Sequence, residues 1–252
     1  MPVKTDPLVR QVLITAVCFT LSCSGIFGAT EAGEPYHPII DPANFSEVVT
    51  NPYFTLTPGT TYTYKARDGK DTEINKVTVT SETKKVMGVT ARVVLDQVWL
   101  NGRKIEETYD WYAQDREGSV WYFGENSKEY KKGSVASAKG SWEAGVKGAQ
   151  PGIVMPANPQ PGAPYRQEYL KGEAEDMGQV LSAKESVRVP SGSYHDCVRT
   201  KDWSAIETDS VEHKYYSKEV GNVVLETEHN DQKRVELIEV TMANKEESPS
   251  KQ

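Results

Sequence analysis

Acidic and aromatic residues are concentrated in the stretch TYDWYAQDREGSVWYFGE, which runs from Thr108 to Glu125. Rings beside carboxylates are suited to hold a sugar, an amine or another cation, or Ca²⁺. A carboxylate pair in apolar surroundings also suits general acid–base catalysis, because burial keeps one member protonated. This stretch is therefore the first candidate for a functional site.

Two hairpin turns decide which residues of this stretch share a face. VTARVVLDQVWL and RKIEETYDWYAQ alternate with a period of two and flank Asn101-Gly102, a pair typical of a type I′ turn. DREG then separates the second strand from SVWYF. Opposed residues of antiparallel strands share a face. Counting outward from both turns predicts one site face that carries Glu106, Asp110, Tyr112, Trp121, Phe123 and Glu125.

Asp110 and Glu125 are the central pair of this predicted site. In the predicted register Val98 lies opposite Ile105, and the two acids are diagonal neighbours roughly 7–8 Å apart. Both faces of the sheet would carry rings and acids, so either a second layer covers the outer face or the sheet curls around a partly polar cavity. The alternative is structural: the acids bond backbone groups and pair with Arg92, Lys104 or Arg166.

The rest of the chain predicts an all-β fold. Period-two alternation broken by turn signals continues from Thr60 to Met242, which indicates one antiparallel meander in an open or closed barrel or cup, or alternatively a β-sandwich. Residues 143–164 are rich in Gly and Pro and predict a long loop, either a lid over the site or a packed surface loop. The predicted organisation is a signal peptide (1–29), an extended Pro-rich lead-in (30–59), the β domain (60–242) and a solvated tail (243–252).

The N-terminus has the features of an export signal. Lys4 and Arg10 precede an uncharged, partly apolar run that ends in small residues near Ala29. The segment FTLSCSG resembles a bacterial lipobox with Cys23 as the lipidated residue, and cleavage near Ala29 is the alternative. Both outcomes predict an exported protein of the periplasm or cell envelope, and lipidation of Cys23 would attach it to the membrane. Cys197 is then the one cysteine of the folded domain and is predicted to be a buried small hydrophobe.

Composition excludes several function classes. The net charge of −7 argues against a nucleic-acid partner, which would require a basic surface. The four histidines lack the spacing of a zinc site, and no phosphate-binding or GxSxG motif occurs. In VEHKYY the alternation places Glu212, Lys214 and Tyr216 on one face.

Two segments resemble exported bacterial β-domain proteins and lipoproteins of mostly unassigned function. NPYFTLTPGTTYTY (51–64) is similar to their "PL.PGT.W.Y" opening. VPSGSYHDCVRT (189–200) with EHKYYSKEVGNVVLE (212–226) is similar to their "P.G.f..C......YY..GvG.V" ending, although Asn222 replaces the usual apolar residue. The resemblance implies an exported open barrel or cup, like the lipoprotein carriers of the envelope, and it transfers no catalytic residue.

These observations favour an exported, non-catalytic binding module for a small molecule, a glycan or a cation such as Ca²⁺. An enzyme that uses Asp110 and Glu125 on a sugar or small organic substrate is the second hypothesis. A structural envelope lipoprotein without a ligand is the third.

Overall fold

The structure is a computed structural model that describes residues 36–206, 211–228 and 233–242. The predicted signal peptide, the cleavage position near Ala29, the lipidation candidate Cys23 and the tail lie outside the described residues. None of the helical structure within those ranges is long and apolar enough to span a membrane.

Strands dominate the described part of the chain. A 3₁₀ turn spans Pro42–Asn44. The strands of the first half are β1 (Phe45–Ser46), β2 (Thr50–Asn51), β3 (Phe54–Thr55), β4 (Thr60–Asp68), β5 (Asp71–Val86), β6 (Val89–Leu100), β7 (Arg103–Asp115), β8 (Val120–Lys131) and β9 (Ser134–Ser137). Those of the second half are β10 (Trp142–Glu143), β11 (Gln150–Met155), β12 (Tyr165–Arg166), β13 (Glu168–Tyr169), β14 (Asp176–Val189), β15 (Gly192–Ser204), β16 (Val211–Ser217), β17 (Asn222–Glu228) and β18 (Lys233–Met242).

The main sheet is antiparallel and nearly closes into a barrel. Its strand order is β12-β14-β15-β16-β17-β18-β4-β5-β6-β7-β8-β11-β13. The two ends of this order, β12 and β13, are separated by one residue, Gln167, whose backbone N–H donates to Asp176 O at 2.9 Å. The chain itself therefore bridges β11 and β14. The predicted all-β meander is confirmed, in its barrel form.

The lead-in closes one end of the barrel. β1 pairs with the end of β7, and Asn51 donates from its side chain to Gly118 O at 2.9 Å, beside the β7–β8 turn. Farther along, Thr55 N–H donates to Gly221 O at 2.7 Å, in the β16–β17 turn. Residues 45–59, here called the floor segment, thus connect turns from two distant parts of the sheet. Phe54 and Leu56 of this segment line the barrel interior.

The Asn101-Gly102 turn forms as predicted, but the register beyond it differs by one residue. Both residues have positive φ, +51° and +78°. Trp99 lies opposite Lys104, and the next pair is Val98 with Glu106, so Ile105 is an extra residue in β7. The predicted pairing of Val98 with Ile105 is therefore wrong. A slip of one residue exchanges the faces of a strand. With the extra residue in β7, Val94 lies opposite Asp110.

A second bulge interrupts the pairing of β7 with β8. Asp110 lies opposite Glu125 and Tyr112 opposite Tyr122, so Phe123 and Gly124 together oppose one residue of β7. β8 continues without a break through GENS (124–127) to Lys131. Gly124 has φ of +133°, and a Cβ there would lie 2.4 Å from Trp142 O. The bulge thus depends on a glycine that lets β10 approach β8.

The Gly/Pro-rich stretch 143–164 differs from the predicted loop. It includes the last residue of β10 and all of β11, which pairs with β8 through Gly152 opposite Tyr122. Residues 156–164 remain outside strands. The sequence signal was weak here because β11 begins QPG and its few apolar residues do not alternate with polar ones.

Candidate functional site

Asp110 and Glu125 share one phenol in the barrel interior. They are directly opposed rather than diagonal, and both are at most 3% exposed. The Tyr122 hydroxyl contacts Asp110 Oδ1 at 2.6 Å and Glu125 Oε2 at 3.0 Å. One hydroxyl has one proton to donate. For both contacts to be hydrogen bonds, one of the two carboxyl groups must be protonated and donate to the phenol oxygen.

Burial supports this sharing of protons. It raises the pKa of Asp110 to about 7, against the opposing effect of the Tyr122 hydrogen bond. Burial also raises the pKa of Glu125 well above its usual range, and the nearby Asp110 and Glu168 carboxylates raise it further. A carboxyl group in a site of low dielectric constant is more stable when neutral. The two carboxyl groups therefore titrate as a unit, each with a raised pKa.

Of the three aromatic residues predicted for the site, one lies beside the acid pair and two face away from it. Tyr112 stacks on Tyr122 with ring centroids 4.9 Å apart, so it belongs to the site. Trp121 and Phe123 instead lie on the opposite face of β8, where both pack edge-on against Phe45. Their predicted place beside Asp110 is wrong, because Tyr122 rather than its two ring neighbours faces the interior.

Glu106, the sixth predicted residue, faces the interior from β7, four residues before Asp110. Its Oε1 accepts from Thr108 Oγ1 at 3.1 Å, and that hydroxyl lies 2.9 Å from Ser127 Oγ. Asp96 joins this wall from β6 and accepts from the Asn75 side-chain amide. Burial raises the pKa of Asp96 well above its usual range, with Asp110 and Glu106 adding to the effect. The β6–β8 wall therefore holds its carboxyl groups with neutral donors.

The structural alternative proposed three cations as partners for these acids. Arg92 donates to Ser81 O at 3.0 Å, and Lys104 contacts Glu107 Oε2 at 2.6 Å. The Arg166 guanidinium lies 4.5 Å from the centroid of the Tyr169 ring. Within the described ranges, none of the three forms an ion pair with Asp110 or Glu125.

The wall across the interior contains buried charges that were not among the predicted site residues. Lys214, 4% exposed, lies 3.1 Å from Asp202 Oδ2 and 3.6 Å from Glu212 Oε2. Burial lowers the pKa of Lys214, but the acids beside it dominate and hold the pKa well above its usual range. The alternation in VEHKYY places Glu212, Lys214 and Tyr216 together, yet it does not reveal that this charged face is the buried one.

A cavity of about 70 Å³ lies between the two walls. Polar and aromatic side chains from both walls line it, including Asp110, Tyr112, Asp202, Lys214, Tyr216 and Glu226. Apolar side chains also line the cavity, namely Phe54 and Leu56 of the floor segment and Val154 of β11.

The unpaired side-chain atoms of this lining share one property. Five lining residues each have a buried oxygen without a hydrogen-bond partner among the described residues, and all five oxygens accept hydrogen bonds. They are Asn75 Oδ1, Asp110 Oδ2, Gln167 Oε1, Asp202 Oδ1 and Glu226 Oε1. The lining therefore leaves five acceptors without a donor among the described residues.

A second cleft, of about 310 Å³, reaches the other end of the acid pair. Glu125 and Trp142 line it together with Lys84 and Glu143, which form an ion pair at 2.7 Å. The Lys84 ammonium also lies 3.3 Å from the centroid of the Trp111 ring. The Asp110–Tyr122–Glu125 group thus separates this cleft from the interior cavity.

No known protein family matches the chain, and no curated protein does either. Among solved structures, the chain is similar to a protein of Parabacteroides distasonis described as a "putative lipoprotein". The two are 14% identical, and the match covers 75% of this chain and 98% of the other, with a TM-score of 0.38.

Proposed function

We propose that this protein is an exported binding module that holds a small organic cation with several N–H donors, such as a primary amine, in its interior cavity. The observation that carries the proposal is the set of five buried acceptors without a donor. A buried polar group without a partner costs about 1–3 kcal/mol. A ligand that donates several hydrogen bonds would remove that cost at several positions at once.

The charges around the cavity favour a cation over a neutral donor. Asp110, Asp202 and Glu226 line it, against the single ammonium of Lys214. Lys214 is already paired with Asp202 at 3.1 Å, whereas Asp110 has its Tyr122 contact and no ion pair within the described residues. An ammonium group beside Asp110 would stabilise the carboxylate form and return its pKa towards the usual range.

The size and the floor of the cavity limit the rest of the ligand. One water needs roughly 10–15 Å³ of such space, so a cavity of about 70 Å³ holds a ligand of about five to seven non-hydrogen atoms. Phe54 and Leu56, which also line the cavity, would contact an alkyl group of the ligand. A short alkylamine meets both conditions.

The test is isothermal titration calorimetry of the domain at pH 8 with three probes of equal length: n-butylamine, n-butanol and butyrate. We expect binding of the amine alone, with affinity reduced at least about tenfold in Asp110→Asn. The matched control is Asp68→Asn, which removes the same charge from an exposed position in β4 and should bind like the parent. Equal binding of amine and alcohol would contradict the proposal.

The competing functions have their own outcomes in the same experiment. A chemically altered amine recovered by mass spectrometry would select the enzyme that uses Asp110 and Glu125. The absence of binding by any probe, with acceptors filled by water, would select the structural protein. Export rests on the N-terminal sequence, and secretion of a fusion that carries residues 1–35 tests it.

A further inference from the structure

Three carboxylates lie in one row across β15, β16 and β17. Asp202 is directly opposite Glu212, and Glu212 is directly opposite Glu228. Like charges in direct cross-strand pairs destabilise a sheet. The row therefore needs a compensating positive charge if its members are ionised.

Lysines provide part of that charge. Lys214 lies beside Asp202 and Glu212, and Lys233 lies 3.0 Å from Glu228 Oε1 and 3.7 Å from Glu73 Oε2. Glu226 is opposite Lys214 in the adjacent row. The group thus comprises five carboxylates and two ammonium groups, with a net charge of −3 when all are ionised.

Three of these acids can reach one ion. Glu212, Glu226 and Glu228 each offer a carboxylate oxygen, and these oxygens lie within 4.8 Å of one another. Oxygens that bind one Ca²⁺ at about 2.3–2.6 Å are at most about 5 Å apart. The spacing therefore accommodates calcium without rearrangement of the strands.

Glu226 gives independent support for a ligand at this position. It is 3% exposed, and its Oε1 has no hydrogen-bond partner in the described part of the chain. A carboxylate that is buried, lacks a partner at one oxygen and lies beside two other carboxylates is satisfied by a cation.

We propose that Glu212, Glu226 and Glu228 form a calcium site, here called the triad, in the barrel interior. Calcium fits because the site offers only hard oxygen ligands. Water molecules complete the six to eight ligands that the ion takes. Lys214 remains paired with Asp202 and Glu212, and Lys233 remains paired with Glu73 and Glu228.

This inference is separate from amine binding, since Glu212 and Glu228 do not line the interior cavity and Glu226 alone belongs to both. The experiment is thermal unfolding of the chelator-treated protein in CaCl₂, with MgCl₂ and NaCl at matched ionic strength. At 100 times Kd we expect calcium to raise the Tm by roughly 5–10 °C. Glu212→Gln and Glu228→Gln should lose most of that rise.

Two controls make the result specific. Glu219→Gln removes the same charge at an exposed position after β16 and should keep the full calcium effect. Asp110→Asn should also keep it, so failure of the amine proposal leaves this result unaffected. Both triad variants should fold, because each relieves repulsion in the row. No calcium-specific rise in the parent protein, or an equal rise in both triad variants, would overturn the proposal.

Discussion

The two walls of the barrel interior stabilise their acids in different ways. On the β6–β8 wall, Asp96, Asp110 and Glu125 face the neutral groups of Asn75 and Tyr122. On the β15–β18 wall, Lys214 and Lys233 lie among the carboxylates. On the first wall nothing cationic among the described residues opposes the effect of burial on the acids. On the second wall burial also raises the pKa of Glu73, Glu212 and Glu226, but the nearby lysines oppose that rise. One interior thus holds its acids with neutral donors on one side and with buried ammonium groups on the other.

Removal of Lys214 from the β15–β18 wall should have the largest effect on stability. Lys214→Met leaves Asp202 and Glu212 buried without their shared cation, which typically costs about 3–5 kcal/mol. Urea unfolding at pH 7.5 measures the change in the free energy of unfolding. Lys85→Met, at an exposed position in β5, is the control and should remain within about 0.5 kcal/mol of the parent. A similar loss in both variants would refute the distinction between the walls.

The stability that Asp110 of the β6–β8 wall contributes should fall as the pH rises, because its pKa is raised in the folded protein. The pKa of Asp110 is about 7 in the folded protein and about 3.9 in an unfolded chain. Between these values the folded state binds the extra proton, so its stability is highest below about pH 4 and decreases up to about pH 7. Asp110→Asn should remove up to about 1.4 kcal/mol of that decrease per pH unit. Urea unfolding at pH 5, 6 and 7 measures it.

The control for the pH prediction is Asp68→Asn, which should retain the slope of the parent protein. A slope unchanged by Asp110→Asn would mean that Asp96, Glu125 or Glu168 binds the proton instead.

Loss of the shared phenol should have a smaller effect on the same wall. Tyr122→Phe keeps the ring stack with Tyr112 but removes the hydroxyl between the two acids. We expect a loss of about 1–2 kcal/mol at pH 7, with less loss at pH 5, which lies below the pKa of about 7 of Asp110. Tyr130→Phe is the comparison, because its hydroxyl makes one long contact, 3.4 Å to Glu107. An equal loss at both pH values would contradict the shared proton.

The sequence predicted the strands of the first half better than the pairing between them. β6 matches the predicted segment VTARVVLDQVWL residue for residue, and the Asn101-Gly102 turn has the required positive φ at both positions. Turn geometry at those positions is a local property. The bulge at Ile105 is not a local property, because it depends on how β7 packs across the barrel.

The same distinction explains the site. Glu106, Asp110 and Tyr112 were grouped correctly because alternate residues of one strand share a face in any register. Tyr122 was missed, and Phe123 misplaced, because the register at the DREG turn differs by one residue from the predicted count, with Gln114 opposite Val120. The β15–β18 wall was missed for another reason: about a hundred residues separate it from β7, and only closure of the barrel brings the two together.

The pairing of β4 with β18 also determines how the chain can fold. These are the first and last long strands, and Ala66 lies opposite Val235. Closing so large a loop is entropically expensive, and folds dominated by such contacts form slowly. The barrel cannot close before the last strand has been synthesised. A chain truncated ahead of β18 would expose two unpaired strand edges, at which chains aggregate.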